Sequence, residues 1–357
     1  MTDELIIRQE GAAGRITLNR PKALNALTLE MVHGMLDALE RWLTDETVRI
    51  VIVDGAGERG LCAGGDIRAL YKSAQENDGL AQKFWADEYR LNALIANYPK
   101  PYIAVMDGIV MGGGVGVSAH GSNRIVTERS MIAMPETAIG LFPDVGGSWL
   151  LANAPGEIGS YLGLCGQRIG AVDAIYAGLA DVEVSSDRLP RLIESLVAAD
   201  YGVDSRSDVD TLIRGFVSSN AQAPLAALRG AIDDVFSFDR IEDILAAAAK
   251  LGTDWGDELV KTLRGRAPHS LKATLAALRK ARNLGGIEEV LDMEYRLALR
   301  MFALPDFSEG VRAAVIDKTG DPKWSVARVE DVQDAMVDVC FDSLGDQELG
   351  LSTRLAR

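Results

Sequence analysis

Residues 131–147 read M-I-A-M-P-E-T-A-I-G-L-F-P-D-V-G-G, and this stretch carries two carboxylates, Glu136 and Asp144, among apolar and small residues. Each acid directly follows a proline, Pro135 or Pro143. Because proline fixes its own φ and restricts the residue before it, we expect both acids to lie on stiff turns. Apolar surroundings disfavour a charged carboxylate and raise its pKa towards the range of a general base. The alternative is structural: one acid caps a helix and the other pairs with an arginine.

The composition is that of a globular protein with one large domain or two ordinary ones. Of the 357 residues, 48% are hydrophobic and 25% are charged. The formal net charge of −15 argues against nucleic acid or an anionic membrane as a partner. Three cysteines and three histidines lie without the spacing of metal ligands, so we expect no metal. Acids at the N-terminus and the lack of an apolar run of about 18 residues predict no targeting segment, no membrane span and a cytoplasmic location.

Hydrophobic periodicity predicts short strands alternating with helices in the first half of the chain. The predicted strands are residues 15–18, 48–53, 102–106, 124–127 and 131–133, and residues 28–43 form an amphipathic helix. From Gly146 onward helical patterns dominate. Residues 201–239 are less regular and could join two sub-regions.

Two glycine clusters precede predicted helices, C-A-G-G-D-I at 62–67 and M-G-G-G-V-G at 111–116. Paired glycines let backbone N–H groups approach an anion or a carbonyl oxygen that gains negative charge. Asp66 is predicted to cap the helix that follows it. The pattern Gly114-x-Gly116-x-x-Ala119 mimics a dinucleotide-binding fingerprint, but the chain does not begin with the strand–glycine–helix unit of that fold. A nucleotide-binding fold is therefore disfavoured.

One segment departs from the acidic character of the chain. Residues 261–282 contain no acid and seven basic residues, namely Lys261, Arg264, Arg266, Lys272, Arg279, Lys280 and Arg282. Such a segment suggests a site for a phosphorylated small ligand. The alternative is a solvated helix face that acids elsewhere in the chain balance.

Five segments together resemble the crotonase, or enoyl-CoA hydratase/isomerase, superfamily. They are R-P-K-A-L-N-A-L (20–27), C-A-G-G-D-I (62–67), M-G-G-G-V-G (111–116), P-E-T-A-I-G-L-F-P-D-V-G-G (135–147) and D-F-S-E-G-V-R-A (306–313). The resemblance implies an α/β fold, a crotonase-like spiral of ββα units with a helical C-terminal region. It implies a spiral core with the acyl-CoA site in residues 1–200 and a helical region completing the CoA pocket in residues 201–357. A homo-oligomer is compatible with it.

Within the superfamily the chain resembles the 3-hydroxyisobutyryl-CoA hydrolases of valine catabolism. Hydratases of the superfamily use two glutamates, of which the second aligns with Glu136. The first falls at Gly116, which has no side chain. The hydrolase branch instead pairs the glutamate of P-E-T with the aspartate of F-P-D, here Glu136 and Asp144.

The resemblance implies hydrolysis of a 3-hydroxyacyl-CoA thioester. The backbone N–H groups of Gly65 and Gly113 would form an oxyanion hole for the thioester oxygen. Glu136 would activate a water or attack the carbonyl itself, and both routes remain open. Asp144 would bind the substrate hydroxyl and orient the glutamate.

Coenzyme A is part of the substrate, so no separate cofactor is expected. Ala23, Leu24 and Ala63 lie where the superfamily binds coenzyme A through main-chain contacts, and Lys272 in the basic segment is expected to meet its phosphates. Two alternatives remain. One is an enoyl-CoA hydratase or isomerase that uses Glu136 alone as a base. The other is a non-catalytic CoA-binding protein.

Overall fold

The computed structural model describes residues 3–218 and 221–354 of the chain. They form two compact units, each built from three separate segments. The first unit comprises the chain up to Gly65, Arg90–Ile132 and Ile169–Ala226, and the second comprises Asp66–Tyr89, Ala133–Arg168 and the chain from Ala227 onward. The division at residue 200 that the resemblance implied follows chain order, and it stays a prediction.

The strands are β1 (Leu5–Glu10), β2 (Ala13–Leu18), β3 (Ile50–Gly55), β4 (Gly60–Cys62), β5 (Tyr102–Met106), β6 (Ile109–Met111), β7 (Asn123–Val126), β8 (Met131–Ala133) and β9 (Val182–Glu183). The helices are α1 (Leu29–Thr44), α2 (Ile67–Glu76), α3 (Leu80–Ala96), α4 (Gly113–Gly116), α5 (Gly147–Ala152), α6 (Ile158–Cys165), α7 (Ala171–Tyr176), α8 (Leu189–Ala198), α9 (Ser205–Arg214), α10 (Pro224–Phe236), α11 (Ile241–Lys250), α12 (Asp254–Arg264), α13 (Pro268–Ala281), α14 (Ile287–Phe302), α15 (Pro305–Val311), α16 (Asp334–Asp338) and α17 (Leu351–Arg354). Short 3-10 turns include Glu136–Ile139 and Val329–Asp331.

The strands alternate between two sheets along the chain. The larger sheet has the order β1-β2-β3-β5-β7-β9, and the smaller has the order β4-β6-β8. Only β1 and β2 pair antiparallel in the larger sheet, while the pairs β2–β3, β3–β5, β5–β7 and β7–β9 are parallel. From β3 to β8 each strand of the larger sheet is followed by one of the smaller sheet, and this alternation is the repeat of a ββα spiral. The predicted fold class is confirmed.

Strand β3 is buried on both faces because it is an almost unbroken run of β-branched residues. It begins at Ile50, two residues later than predicted, because the amide of Val48 instead closes a turn by donating to the Asp45 carbonyl over 3.1 Å. Helix α1 forms the crossover between the parallel strands β2 and β3. The side chain of Thr28 caps α1 by accepting a hydrogen bond from the amide of Met31.

The second unit is mainly helical, as predicted for the C-terminal part of the chain. Helix α13 packs against α5 and α6, and α14 packs against α13, α15 and α17. Edge-to-face contacts of Trp85 with Phe302 and Phe307 form part of its core. In the part of the chain that the structure describes, no helix is long and apolar enough to cross a membrane.

The expectation of irregular structure over residues 201–239 is wrong for most of that range. Helices α9 and α10 occupy Ser205–Arg214 and Pro224–Phe236. The side chain of Asp204 caps α9 by accepting a hydrogen bond from Ser207, a local pattern that predicts a helix start. The capping role predicted for Asp66 is confirmed, because its side chain accepts a hydrogen bond from the Ala69 amide.

Candidate active site

Both carboxylates of the Pro-acid pairs lie in the second unit on tight turns. Glu136 opens a 3-10 turn directly after Pro135, and its carbonyl accepts the amide of Leu141 over 3.1 Å. The carbonyl of Asp144 accepts the amide of Gly147 over 2.7 Å. Both acids therefore lie on hydrogen-bonded turns, as predicted, and the stiffness of these turns stays a prediction.

The residue after Asp144 has a strained backbone. Val145 has a φ of 56° and is buried, although the left-handed region is unfavourable for a β-branched residue. Strain of this kind amounts to about 1–3 kcal/mol and persists only where the surroundings hold the backbone in place. The strain at Val145 therefore indicates that contacts with the rest of the structure hold the turn at Asp144 in this conformation.

Glu294 on α14 holds this turn. Its Oε2 accepts the amide of Gly146 over 2.6 Å, and its Oε1 accepts the amide of Ser148 over 2.8 Å. The hydroxyl of Ser148 also donates to the carbonyl of Pro143 over 3.3 Å. The carboxyl group of Glu294, from a helix distant in sequence, thus binds two backbone amides that follow Asp144. These hydrogen bonds hold the backbone from which the Asp144 side chain projects.

The Asp144 carboxylate has aromatic partners in place of a basic one. The hydroxyl of Tyr89, on the part of α3 that belongs to the second unit, donates to Oδ2 of Asp144 over 2.9 Å. Trp85, one helical turn earlier, also helps to lower the pKa of this carboxylate. Among the described residues, no Lys or Arg forms an ion pair with Glu136 or Asp144. The structural alternative of an acid paired with an arginine is therefore wrong.

Four carboxyl groups share this buried site, and burial raises the pKa of each. The pKa of Asp144 rises to about 6 because burial outweighs its hydrogen bonds, and burial raises that of Glu294 to about 8. Burial, and next the charge of Asp144, raise the pKa values of Glu136 and Glu88 well above the usual range. The rise predicted for the two Pro-acid carboxylates is confirmed. The group favours sharing of protons over four full charges.

Two oxygens of this group have no partner in the described part of the chain. Oε2 of Glu136 and Oε1 of Glu88 are buried and make no hydrogen bond there. Buried polar atoms in native proteins are almost always satisfied, and exceptions occur at sites that act on a ligand. The two oxygens thus offer an acceptor or a proton to a bound molecule. No group of three or more His, Cys, Asp or Glu side chains among the described residues is arranged to hold a metal ion.

In the first unit, the two glycine clusters come together. Gly64 has a φ of 115°, and a Cβ built on it would lie 3.7 Å from the amide nitrogen of Gly113. A Cβ on Gly114 would overlap the carbonyl oxygen of Cys62, so only glycine permits this approach. Gly113 opens α4, and the first amides of a helix have no intrahelical acceptor. The role of the Gly65 and Gly113 amides in an oxyanion hole stays a prediction.

The segment predicted to bind coenzyme A is tied to the first glycine loop. The amide of Ala63 donates to the carbonyl of Leu24 over 3.0 Å, and Leu24 has a φ of 53°. The buried side-chain amide of Asn25 donates to the carbonyls of Ala56 and Gly60, each over 3.0 Å. The backbone of this segment is thereby held in place, which main-chain recognition requires. Binding by Ala23, Leu24 and Ala63 stays a prediction.

Lys272 in the second unit already has anionic partners. Its Nζ lies 2.8 Å from Oε1 of Glu242 and donates to the carbonyl of Val332 over 2.7 Å. Only 12% of its side chain is exposed. The contact with coenzyme A phosphates stays a prediction, and the ion pair argues against it because the ammonium would have to leave Glu242.

Comparison with known proteins places these features in a family. The family model for enoyl-CoA hydratase/isomerase matches residues 13–341. The chain belongs to the enoyl-CoA hydratase/isomerase family. The 3-hydroxyisobutyryl-CoA hydrolase, mitochondrial, of Danio rerio is 42% identical over 98% of this chain and 92% of its own length.

Two solved structures of this family also match. A carnitinyl-CoA dehydratase from Mycobacterium thermoresistibile superposes with a TM-score of 0.92, at 41% identity and with 98% of both chains covered. An enoyl-CoA hydratase from Rhodobacter sphaeroides 2.4.1 superposes with a TM-score of 0.90, at 42% identity, covering 97% of this chain and 99% of that one. The superfamily resemblance read from the five segments is confirmed.

The expectation of a cytoplasmic location is wrong. The curated family members at about this identity are mitochondrial proteins by name. The expectation rested on acidic residues near the N-terminus, and the local charge of one segment does not determine the compartment.

Three residues of this site in the enoyl-CoA hydratase/isomerase fold were not predicted, namely Glu88, Tyr89 and Glu294. All three lie on helices with apolar buried faces. Glu88 follows the buried Phe84 by four residues and Trp85 by three, and so falls on their face of α3. Glu88 could have been predicted as a site residue because it is an acid at a position where the helical pattern requires an apolar residue.

Proposed function

We propose that this chain hydrolyses 3-hydroxyisobutyryl-CoA to 3-hydroxyisobutyrate and free coenzyme A, a step of valine catabolism. The observation that carries the proposal is the pair of buried carboxylates, Glu136 and Asp144, on two rigid turns of one unit. The names of the curated relatives support the substrate. An acyl-CoA substrate fits the names of the matching family members.

Glu136 carries the reaction in this proposal. Its unpartnered oxygen would take a proton from a water that attacks the thioester carbon, or would itself attack that carbon and form a mixed anhydride that water then opens. In both routes the carbon–sulfur bond breaks and the sulfur leaves with the electron pair. In the water route Glu136 returns the proton of the attacking water to the thiolate. In the anhydride route Glu136 attacks as the ionised carboxylate, the thiolate takes its proton from solvent, and the water that opens the anhydride restores the Glu136 carboxylate and forms the acid product. Burial raises the pKa of Glu136, and a carboxylate with a raised pKa is a stronger base, which suits the water route.

Negative charge on the thioester oxygen needs hydrogen-bond donors. We assign this role to the amides of Gly65 and Gly113, and loss of one such donor typically raises a barrier by about 3–4 kcal/mol. Main-chain groups of Ala23, Leu24 and Ala63 would bind coenzyme A. No separate cofactor takes part.

Asp144 determines the acyl preference in this proposal. Its pKa of about 6 leaves it ionised near neutral pH, and the hydrogen bond from Tyr89 occupies Oδ2. A substrate hydroxyl at the 3-position can then donate to the remaining oxygen. Charge-assisted hydrogen bonds of this kind contribute about 1.5–3 kcal/mol, which is enough to favour hydroxylated over plain acyl groups.

A hydratase or isomerase is the second candidate, favoured by the names of the two proteins whose solved structures match. Against hydration stands Gly116, which is buried and supplies no acid where hydratases of the superfamily carry their first glutamate. A single base at Glu136 would still suffice to move a proton next to a thioester.

Thiol release and enoyl absorbance separate the candidates. The protein is incubated with 3-hydroxyisobutyryl-CoA, and free thiol is followed with a disulfide reagent, while enoyl-CoA absorbance is followed with crotonyl-CoA. Release of thiol from the first substrate supports the proposal. An absorbance change without thiol release supports the second candidate, and binding without turnover across a thioester panel indicates a CoA-binding protein. Light scattering would test the proposed homo-oligomer.

A further inference from the structure

A cavity of about 390 Å³ lies in the second unit, apart from the four-carboxyl group. Helices α11, α12 and α13 and the 3-10 turn Val329–Asp331 enclose it. Its floor is apolar and includes Leu245, Leu263, Leu271 and Val329. Ligand sites commonly have this form, with an apolar body and a few placed polar groups.

The polar groups of this cavity are mostly cations. Arg264, Arg266 and Arg328 line it together with a single acid, Glu330. The pKa of Glu330 is lowered, first by a hydrogen bond to its own backbone and then by Arg328 and Arg264. Three guanidinium groups thus face one carboxylate in a protein whose net charge is −15.

Arg266 is partly buried, and it has no carboxylate partner among the described residues. One of its terminal nitrogens donates to the carbonyl of Cys165, while its Nε is buried and has no acceptor among the described residues. Burial lowers its pKa, and no carboxylate of the described residues forms an ion pair with it. A charge removed from water without a counter-charge is strongly unfavourable. The position is therefore suited to an anion that comes from outside the chain.

The remaining cations of the acid-free segment 261–282 have other contacts. Lys261 pairs with Glu258, and Lys272 pairs with Glu242. Two further arginines, Arg279 and Arg282, share Glu157, and Lys280 lies over the ring of Phe341. Within the described residues, Arg264 and Arg266 are the two members of the segment that have no carboxylate ion pair and that line this cavity.

We propose that this cavity binds an organic phosphate, with Arg264, Arg266 and Arg328 holding the phosphate oxygens and the apolar floor covering the organic part. Guanidinium groups bind phosphate oxygens in pairs and in a fixed plane, which suits this role. Two sources carry this chemistry, the phosphates of coenzyme A and those of a separate phosphorylated metabolite. The inference goes beyond the proposed function, because the cavity would bind a phosphate whether or not the chain hydrolyses thioesters.

Calorimetric titration tests the site without turnover. Pyrophosphate and adenosine 3′,5′-bisphosphate are titrated into the wild-type protein and into the double variant Arg264→Met, Arg328→Met. The control variant Arg240→Met, Lys261→Met removes the same charge at side chains that are 68% and 79% exposed and lie outside this cavity. A loss of affinity of about tenfold or more in the cavity variant, with less than about twofold in the control, is expected from the loss of charge-assisted hydrogen bonds.

Two results would overturn the proposal. One is that neither probe binds the wild-type protein at millimolar concentration. The other is that both double variants lose affinity equally, which would assign the binding to overall charge or to another site. The variant Arg266→Lys, which keeps the charge and loses the planar fork, should also weaken binding, whereas unchanged affinity there would contradict the role of Arg266.

A competition experiment distinguishes the two sources. Pyrophosphate is titrated into protein saturated with coenzyme A. If coenzyme A excludes pyrophosphate, and the cavity variant also lowers the affinity for coenzyme A, the phosphates that the cavity binds are those of the coenzyme A portion of the substrate. If both bind together and only pyrophosphate depends on the cavity arginines, the site serves a separate metabolite. Both results support a phosphate site at this cavity.

Discussion

The hydroxyl of Tyr89 donates to Oδ2 of Asp144 over 2.9 Å, and both side chains are buried. A hydrogen bond to the ionised form lowers a carboxyl pKa, so this contact opposes the rise that burial imposes on Asp144. The tyrosine thus helps to keep the aspartate an acceptor near neutral pH. The hydrogen bond from Tyr89 reaches Oδ2, and in the proposed function the substrate hydroxyl donates to the other oxygen of the carboxylate.

Tyr89→Phe should shift the acidic limb of the pH profile upward. The variant keeps the ring, which meets Tyr295 edge to face, and removes only the donor. Because the charged form of Asp144 loses support, its pKa should rise above about 6, and the limb of kcat/KM should move by about one pH unit. Tyr201→Phe, which removes a buried hydroxyl bonded to the Leu196 carbonyl, is the control. An unchanged profile in Tyr89→Phe would contradict the assigned role.

Removal of the Glu136 carboxylate should affect kcat on every substrate, whereas removal of the Asp144 carboxylate should affect the preference for hydroxylated acyl groups. Glu136→Gln should lower kcat by about 100- to 10,000-fold, because the base or nucleophile is gone, and should leave coenzyme A affinity nearly unchanged.

Asp144→Asn should lower kcat/KM about tenfold more for a 3-hydroxyacyl-CoA than for the plain acyl-CoA. Steady-state kinetics on the matched substrate pair measure both effects. Equal losses on the two substrates would refute hydroxyl recognition by Asp144.

Titration of Glu294 should lower the free energy of unfolding as pH rises through about 8. Its pKa is raised from about 4.3 in an unfolded chain to about 8 in the fold, so the folded protein binds the proton more tightly in that window. Its stabilising contribution is therefore complete below about pH 4.3 and is lost as pH rises through about 8. Glu294→Gln should be less stable than wild type near pH 5 by about 1–3 kcal/mol, through a lost amide hydrogen bond, and the difference should shrink by pH 8.5.

Thermal unfolding at several pH values checks this dependence. Asp292→Asn serves as the control. Asp292 lies on the same helix as Glu294, and its carboxylate also accepts hydrogen bonds from two backbone amides, those of Leu351 and Ser352. A stability difference between Glu294→Gln and wild type that grows with pH would show that Glu294 does not bind its proton more tightly in the folded state.

Gly114→Ala should impair the first unit. The added Cβ overlaps the Cys62 carbonyl oxygen, so the two glycine loops must move apart, with a loss of about 1–3 kcal/mol in stability and a fall in kcat. Gly230→Ala is the matched control, since its Cβ would meet no atom within 4 Å and it lies inside helix α10. That variant should be neutral or more stable by up to about 1 kcal/mol. Thermal melts and kinetics of both variants provide the comparison.

The sequence predicts best what neighbouring residues determine. Glu136 and Asp144 were found because each acid follows a proline, and α1 was found because Met31, Met35 and Leu39 repeat at helical spacing. The alternation of strands and helices is likewise local, and it is compatible with the fold class that the resemblance of the five segments implies.

Contacts between distant segments account for what was missed. Glu294 reaches Gly146 across 148 residues, and no pattern around either residue reveals it. Lys272 was chosen from a run of cations, whereas its partner Glu242 lies on another helix. Arg266 is part of that same run, and only its three-dimensional surroundings show that no carboxylate of the described residues forms an ion pair with it.

The separation between Glu294 and the turn that it holds also bears on protein synthesis. Glu136 and Asp144 leave the ribosome with the first half of the chain, about 150 residues before the helix that holds the turn at Asp144. Domains fold as they emerge, but this site depends on a late segment. Reactive carboxylates therefore reach their working geometry only at the end of translation, so nascent or truncated chains are expected to leave cellular thioesters intact.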